Sequence, residues 1–176
     1  FNGHTNITSS RFLVFGVKGM LSAAKNVRNA MLFNVLSFMS DKLLTVGNTV
    51  AALDELYIWL SNPTAIEYIR NCLKRVRKKE SAMLLASQNL EDFDQEGVRE
   101  MTKPLFSIPP HQFLFNAGSI DKRSYMDMLQ LEESEYNLIR FPQRGVCLYK
   151  CGNERYLLEV HAPAYKEKLF GTAGGR

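Results

Sequence analysis

Cysteine is scarce in this sequence: only Cys72, Cys147 and Cys151 occur. An odd, widely spaced set excludes a disulfide framework and points to a reducing compartment. Cys147 and Cys151, with His161, could be imagined as zinc ligands. However, Cys147 lies in the apolar run Val146-Cys147-Leu148-Tyr149, which reads as a strand, and no fourth ligand is suggested. No apolar run approaches the length of a membrane-crossing helix, and the opening has no signal-peptide pattern. Charge of one sign is also in short supply. The net charge of +4 permits contact with nucleic acid or an acidic membrane surface without arguing for either. Most consequential is a missing motif. No G-x-x-x-x-G-K-[ST] occurs, and Gly16-Val17-Lys18-Gly19 has neither its spacing nor its Lys-Ser/Thr pair.

What is present suits one α/β domain. The 176 residues are 45% hydrophobic and 23% charged, enough to bury a core without disulfides or metal. The chain opens with Phe1 rather than Met, which points to a piece of something longer.

Ser10 to Val17 reads as a buried strand, and Leu21 to Leu44 carries apolar residues three and four apart, as a helix does. Thr49 to Leu53 is a short apolar strand that stops at Asp54-Glu55. Asn62-Pro63 then opens a helix running to about Lys79, with Asn as cap and Pro in the first turn. Ser81 to Ala86 is another strand, ending at Ser87-Gln88. A helix is expected over Gly97 to Phe106, a strand over His111 to Phe115, and helices over Lys122 to Leu129 and Glu132 to Arg140. Val146 to Lys150 and Arg155 to Val160 form a hairpin turned by Gly152-Asn153. This alternation predicts a mostly parallel sheet flanked by helices, with a C-terminal antiparallel hairpin. Phe12–Phe15, Val50–Leu53, Met83–Ala86 and Gln112–Phe115 are expected as its parallel strands, with Val50–Leu53 between the first and third of these.

Three features could carry chemistry. A buried parallel strand delivers the residues after its last apolar position to the C-terminal sheet edge, where α/β ligands bind. Asp54 there can hold the water shell of Mg²⁺, and Glu55 can polarise a water for attack on a γ-phosphate, the Walker B arrangement; a strand end with two solvated acids is the plainer alternative. Gln88, after the next strand, would sit beside Glu55 if the two strands pair, and could touch the attacking water; otherwise it is a loop residue before a helix. The basic run Lys74, Arg75, Arg77, Lys78 and Lys79 closes a helix, where cations complement the dipole. It could instead supply an arginine finger to a neighbouring subunit or contact a DNA backbone.

Together these elements carry a resemblance. LDELYIWLSNPTAIEYIRNCLKRVRKKESAMLLASQNLEDF, from Leu53 to Phe93, resembles the Walker B to sensor segment of the VirB-four, TraE and TrsE conjugation ATPases, which belong with the HerA and FtsK motors. The opening FNGHTNI and the closing RGVCLYKCGNERYLLEV are similar to segments at the corresponding places in that family. The resemblance implies a RecA-like P-loop NTPase fold, incomplete here, with residues 1–176 as the C-terminal portion of one ATPase domain whose phosphate-binding half lies upstream. It implies Asp54 as the Mg²⁺-organising acid, Glu55 as general base, Gln88 as sensor, Arg77 as the arginine before the sensor strand, and Arg144 as a second nucleotide- or subunit-facing arginine. It further implies ATP and Mg²⁺ in the parent protein, a homohexamer, other type IV secretion components as partners, and a place on the cytoplasmic face of the membrane. Without a P-loop, the chain alone is expected to bind ATP poorly. A non-catalytic assembly module and a DNA translocase remain the alternative functions.

Overall fold

The computed structural model describes residues 10–60, 62–88, 90–94 and 97–171. Helix α1 (Lys25–Asp41) continues into a π-helical turn, Lys42–Val46, and stops at Gly47. Leu32, Leu36, Met39 and Leu43, spaced four, three and four apart, give the pair a single buried face. Strand β1 (Val50–Leu53) follows, then the short α2 (Tyr57–Leu60) and α3 (Pro63–Arg75). Asn62 caps α3 by accepting the Thr64 amide, as its place before Pro63 predicts. A 3-10 turn, Val76–Lys79, leads into β2 (Ala82–Leu85). Strands β1 and β2 pair in parallel, Val50 with Ala82 through Leu53 with Leu85. Their inward side chains join α1, α2 and α3 around Leu36, Ile66 and Ile69 in the larger of two cores.

Helix α4 (Arg99–Ser107) leads to β3 (His111–Leu114), and α5 (Lys122–Leu129) and α6 (Glu133–Leu138) precede the hairpin of β4 (Val146–Cys151) and β5 (Glu154–Glu159). These strands form a separate antiparallel sheet in the order β3-β4-β5. Leu114 and Leu148 on its inner face pack with Tyr125, Leu129, Leu131 and Ile139 in the second core. Leu90 and Phe106 touch both cores. The short α7 (Ala164–Phe170) ends the described chain.

The architecture is thus α/β, but two strand expectations need correction. Phe12–Phe15 is not a strand: residues 11–17 lie outside the sheets, with Phe12 82% exposed and Phe15 resting edge-on against Phe38 of α1. β-branched and aromatic composition favours a strand only where a ladder partner is at hand, and among the described residues none meets this segment, so β1 has β2 as its one partner there rather than lying between two strands. The strand expected at Gln112–Phe115 runs from His111 to Leu114 and pairs antiparallel with β4, not with the parallel strands. The adjoining hairpin offers it an edge, and the ladder is extended by Gly152 N–H donating to Pro110 O. The opening segment FNGHTNI lies outside the described residues.

Candidate functional site

The parallel pair places the acids. The ladder continues past the strand ends: Ala86 N–H donates to Leu53 O, and Leu56 N–H to Ala86 O, both at 2.9 Å. The segments after β1 and β2 are therefore stapled side by side at the C-terminal edge of the sheet. Between the two staples the backbone of Glu55 takes a left-handed conformation, φ 52°. The Asp54 carboxylate supports that kink by accepting the Glu55 amide at 2.9 Å. The Glu55 side chain turns toward the second strand, where Gln88 Nε2 donates to its Oε1 at 2.8 Å, across thirty-three residues of sequence. Asp54, Glu55 and Gln88 thus form one exposed to half-buried polar group at the mouth of the sheet.

A carboxylate at this edge suits a hard cation held through its water shell. One Asp54 oxygen is occupied by the Glu55 amide, and its exposed carboxylate leaves the other for such water. Among the described residues no set of three or more His, Cys, Asp or Glu side chains is arranged to hold a metal ion directly, so further ligands for Mg²⁺ would come from substrate phosphates and water.

The two arginines stand apart from this group. Arg77 lies in the 3-10 turn before β2, and so at the opposite edge of the parallel pair. Four residues of strand, at about 3.3 Å each, separate it from the acids by roughly 13 Å or more. Lys74, Arg75, Arg77, Lys78 and Lys79 are all exposed, while Val76 among them is buried in the larger core. Arg144 is exposed in the turn before β4, next to Gly145 at φ 79°.

One buried charged side chain was missed in the sequence. Lys150 of β4 is only 8% exposed and donates to Leu129 O at 2.5 Å. Strand alternation could have found it. Lys150 shares a face with Leu148, and a charge at a core-facing strand position is a signal.

No family model matches the chain. It is 28% identical over 141 residues to the second portion of a probable conjugal transfer protein TrbE of Sinorhizobium fredii (strain NBRC 101917 / NGR234), covering 77% of this chain and 20% of that protein. It is 31% identical over 101 residues to the conjugal transfer protein TrbE of Rhizobium radiobacter, covering 56% of this chain and 12% of the relative. Its fold matches the structure of VirB4 of Thermoanaerobacter pseudethanolicus with a TM-score of 0.76 and 29% identity, over 88% of this chain and 42% of that one. The resemblance read from the sequence is therefore supported from two sides. The chain is similar in sequence to two TrbE conjugal transfer proteins, and its α/β fold is similar to that of VirB4. It spans about a fifth of one curated relative and less of the other.

Proposed function

We propose that this chain supplies the water-activating half of the nucleotide site of a motor ATPase that powers conjugative transfer or type IV secretion. The observation that carries the reading is the Gln88–Glu55 hydrogen bond across the ends of two parallel strands. It sets a carboxylate and an amide side by side, as orientation of a single water requires. Glu55 accepts the proton of the attacking water, and Gln88 holds the carboxylate and then the water in line. Asp54 would hold Mg²⁺ through its water shell, and the ion when bound would supply positive charge against the phosphates. The phosphate cradle comes from a P-loop elsewhere in the parent protein. Arg77, at the far edge of its own sheet, serves a neighbouring subunit's site in a homohexamer, and Arg144 faces the nucleotide or a subunit boundary. The assembly lies on the cytoplasmic face of the membrane with other secretion components. The five exposed cations from Lys74 to Lys79 favour an added contact with DNA phosphates.

The test is steady-state ATPase of a full-length parent, alongside nucleotide binding. Glu55→Gln should bind ATP normally and lose turnover, because shape is kept and the base removed. Asp54→Asn should weaken Mg²⁺-dependent binding as well. Arg77→Ala should spare binding yet cut hydrolysis in the assembled ring by roughly 10³–10⁵, the worth of an arginine finger. A loss below about tenfold would return Arg77 to closing its helix. Undiminished turnover by Glu55→Gln would remove the site from the argument.

A further inference from the structure

A recess of about 390 Å³ opens where the two cores meet, between α4 and the C-terminal end of α5. This is within the size range of small-molecule sites. Phe93, Phe106 and Leu129 give it an apolar lining, the two rings meeting edge-to-face at 5.1 Å. Lys150 enters from β4. Its ammonium has three N–H donors, and Leu129 O at the end of α5 takes one. Among the described residues no second acceptor is recorded for it. The acid that acts on it, Glu135, is already engaged by Arg155 Nε at 2.8 Å. A buried cation with unspent donors is costly unless something meets it. Burial pulls the Lys150 pKa below the ordinary lysine range, Arg155 adds to the shift, and Glu135 offsets part of it. Capping α5 explains one N–H but not the space beside the amine.

The rim adds direction. Arg99 and Lys103 lie one turn apart on α4 and both border the recess. Arg99 is held by Asp94 at 3.4 Å, whereas Lys103 is exposed and without an ion pair among the described residues. Glu100 and Asp127 also border it, so the rim is mixed in charge, while among the described residues the one ionisable group at its buried end is Lys150. We propose that this recess binds a small organic anion, its carboxylate or phosphate head on Lys150 and Lys103 and its apolar body on Phe106 and Leu129. The site is separate from the Asp54–Glu55–Gln88 group and does not depend on the reading of that group.

The test is an NMR titration of the ¹⁵N-labelled chain with phenyl phosphate, phenylacetate, inorganic phosphate and phenol. One of the two aromatic anions should shift the amides of Phe106, Leu129 and Lys150, and the tighter of the two identifies the preferred head group. Inorganic phosphate should bind at least about tenfold more weakly, since it buries no ring, and phenol should produce no comparable shift. Lys150→Met should weaken the preferred anion about tenfold or more, the loss expected for a hydrogen bond to a charged group. Should that variant fail to fold by circular dichroism, Lys103→Glu decides, because its side chain is exposed and its reversal should weaken the anion severalfold. Absence of shifts at the recess with both aromatic anions, equal binding of phenol, or affinity untouched by Lys103→Glu overturns the proposal.

Discussion

The parallel pair β1–β2 and the antiparallel sheet β3-β4-β5 each pack one face on a core, but their outer faces are not equivalent. On the antiparallel sheet the outer face clothes itself. Phe113 stacks on Tyr149 at 4.7 Å, Tyr149 on Tyr156 at 6.1 Å, and His111 Nδ1 meets the Tyr149 hydroxyl at 2.7 Å. Antiparallel sheets tolerate water on one side, and phenol groups suit that boundary. On the parallel pair the outer face is plain aliphatic: Val50 is 66% and Leu84 62% exposed, and no third strand joins either edge among the described residues. Parallel strands occur almost only with both faces covered. The difference is what would be expected if the parallel pair belongs to the larger domain proposed above, whose further layer would cover its aliphatic face. That fits a chain matching 42% of the VirB4 structure.

The comparison can be broken first in the two cores. Leu36→Ala and Leu148→Ala each remove a fully buried side chain, and each should cost about 2–5 kcal/mol in urea unfolding. Hydrogen exchange separates them. Leu148→Ala should expose the β4 and β5 amides before those of Ala82–Leu85. Equal loss in both sheets would show that Leu90 and Phe106, which touch both cores, weld them into one unit.

A smaller effect is expected at the glycines that close the two sheets. A Cβ on Gly145, at φ 79°, would stand 2.4 Å from Val160 O, and one on Gly47, at φ 77°, 2.8 Å from Lys79 O. Left-handed backbone strain costs about 1–3 kcal/mol, and the closer approach adds to it. Gly145→Ala should therefore lower the urea midpoint more than Gly47→Ala, and the reverse order would break the ranking. Smallest are the caps, one in each half. Asn62 accepts one amide and Asp121 accepts two, from Arg123 and Ser124. Substitution by Ala should cost about 1 kcal/mol at each, with Asp121 the larger, read from thermal melts.

Where local chemistry decides, the sequence was legible. The span Lys122–Leu129 appears as a helix with the expected ends, the Asn62-Pro63 start holds, and Gly152-Asn153 turns the hairpin. The juxtaposition of Gln88 with Glu55 was also readable, because two parallel strands in alternation bring their C-terminal ends together. Partner choice was not. Residues 12–15 have strand composition without a ladder, and His111–Leu114 joins the nearer hairpin rather than the parallel pair. Pairing depends on which edge is available, and no run of residues encodes its neighbour's edge. The roles proposed for Arg77 and Arg144 would rest on neighbouring subunits, so neither spacing nor the fold of a single chain reaches them.

The kink at Glu55 carries a consequence for how this segment can drift. A residue with a Cβ held at φ 52° resists its own backbone, whereas glycine would rest there without strain. Glu55→Gly should melt at a higher temperature than the unaltered chain, by roughly the 1 kcal/mol that relief of a left-handed residue brings, against the usual direction of substitutions. A rise would show that this side chain does not hold the segment together, and a fall would show that its bond to Gln88 outweighs the strain.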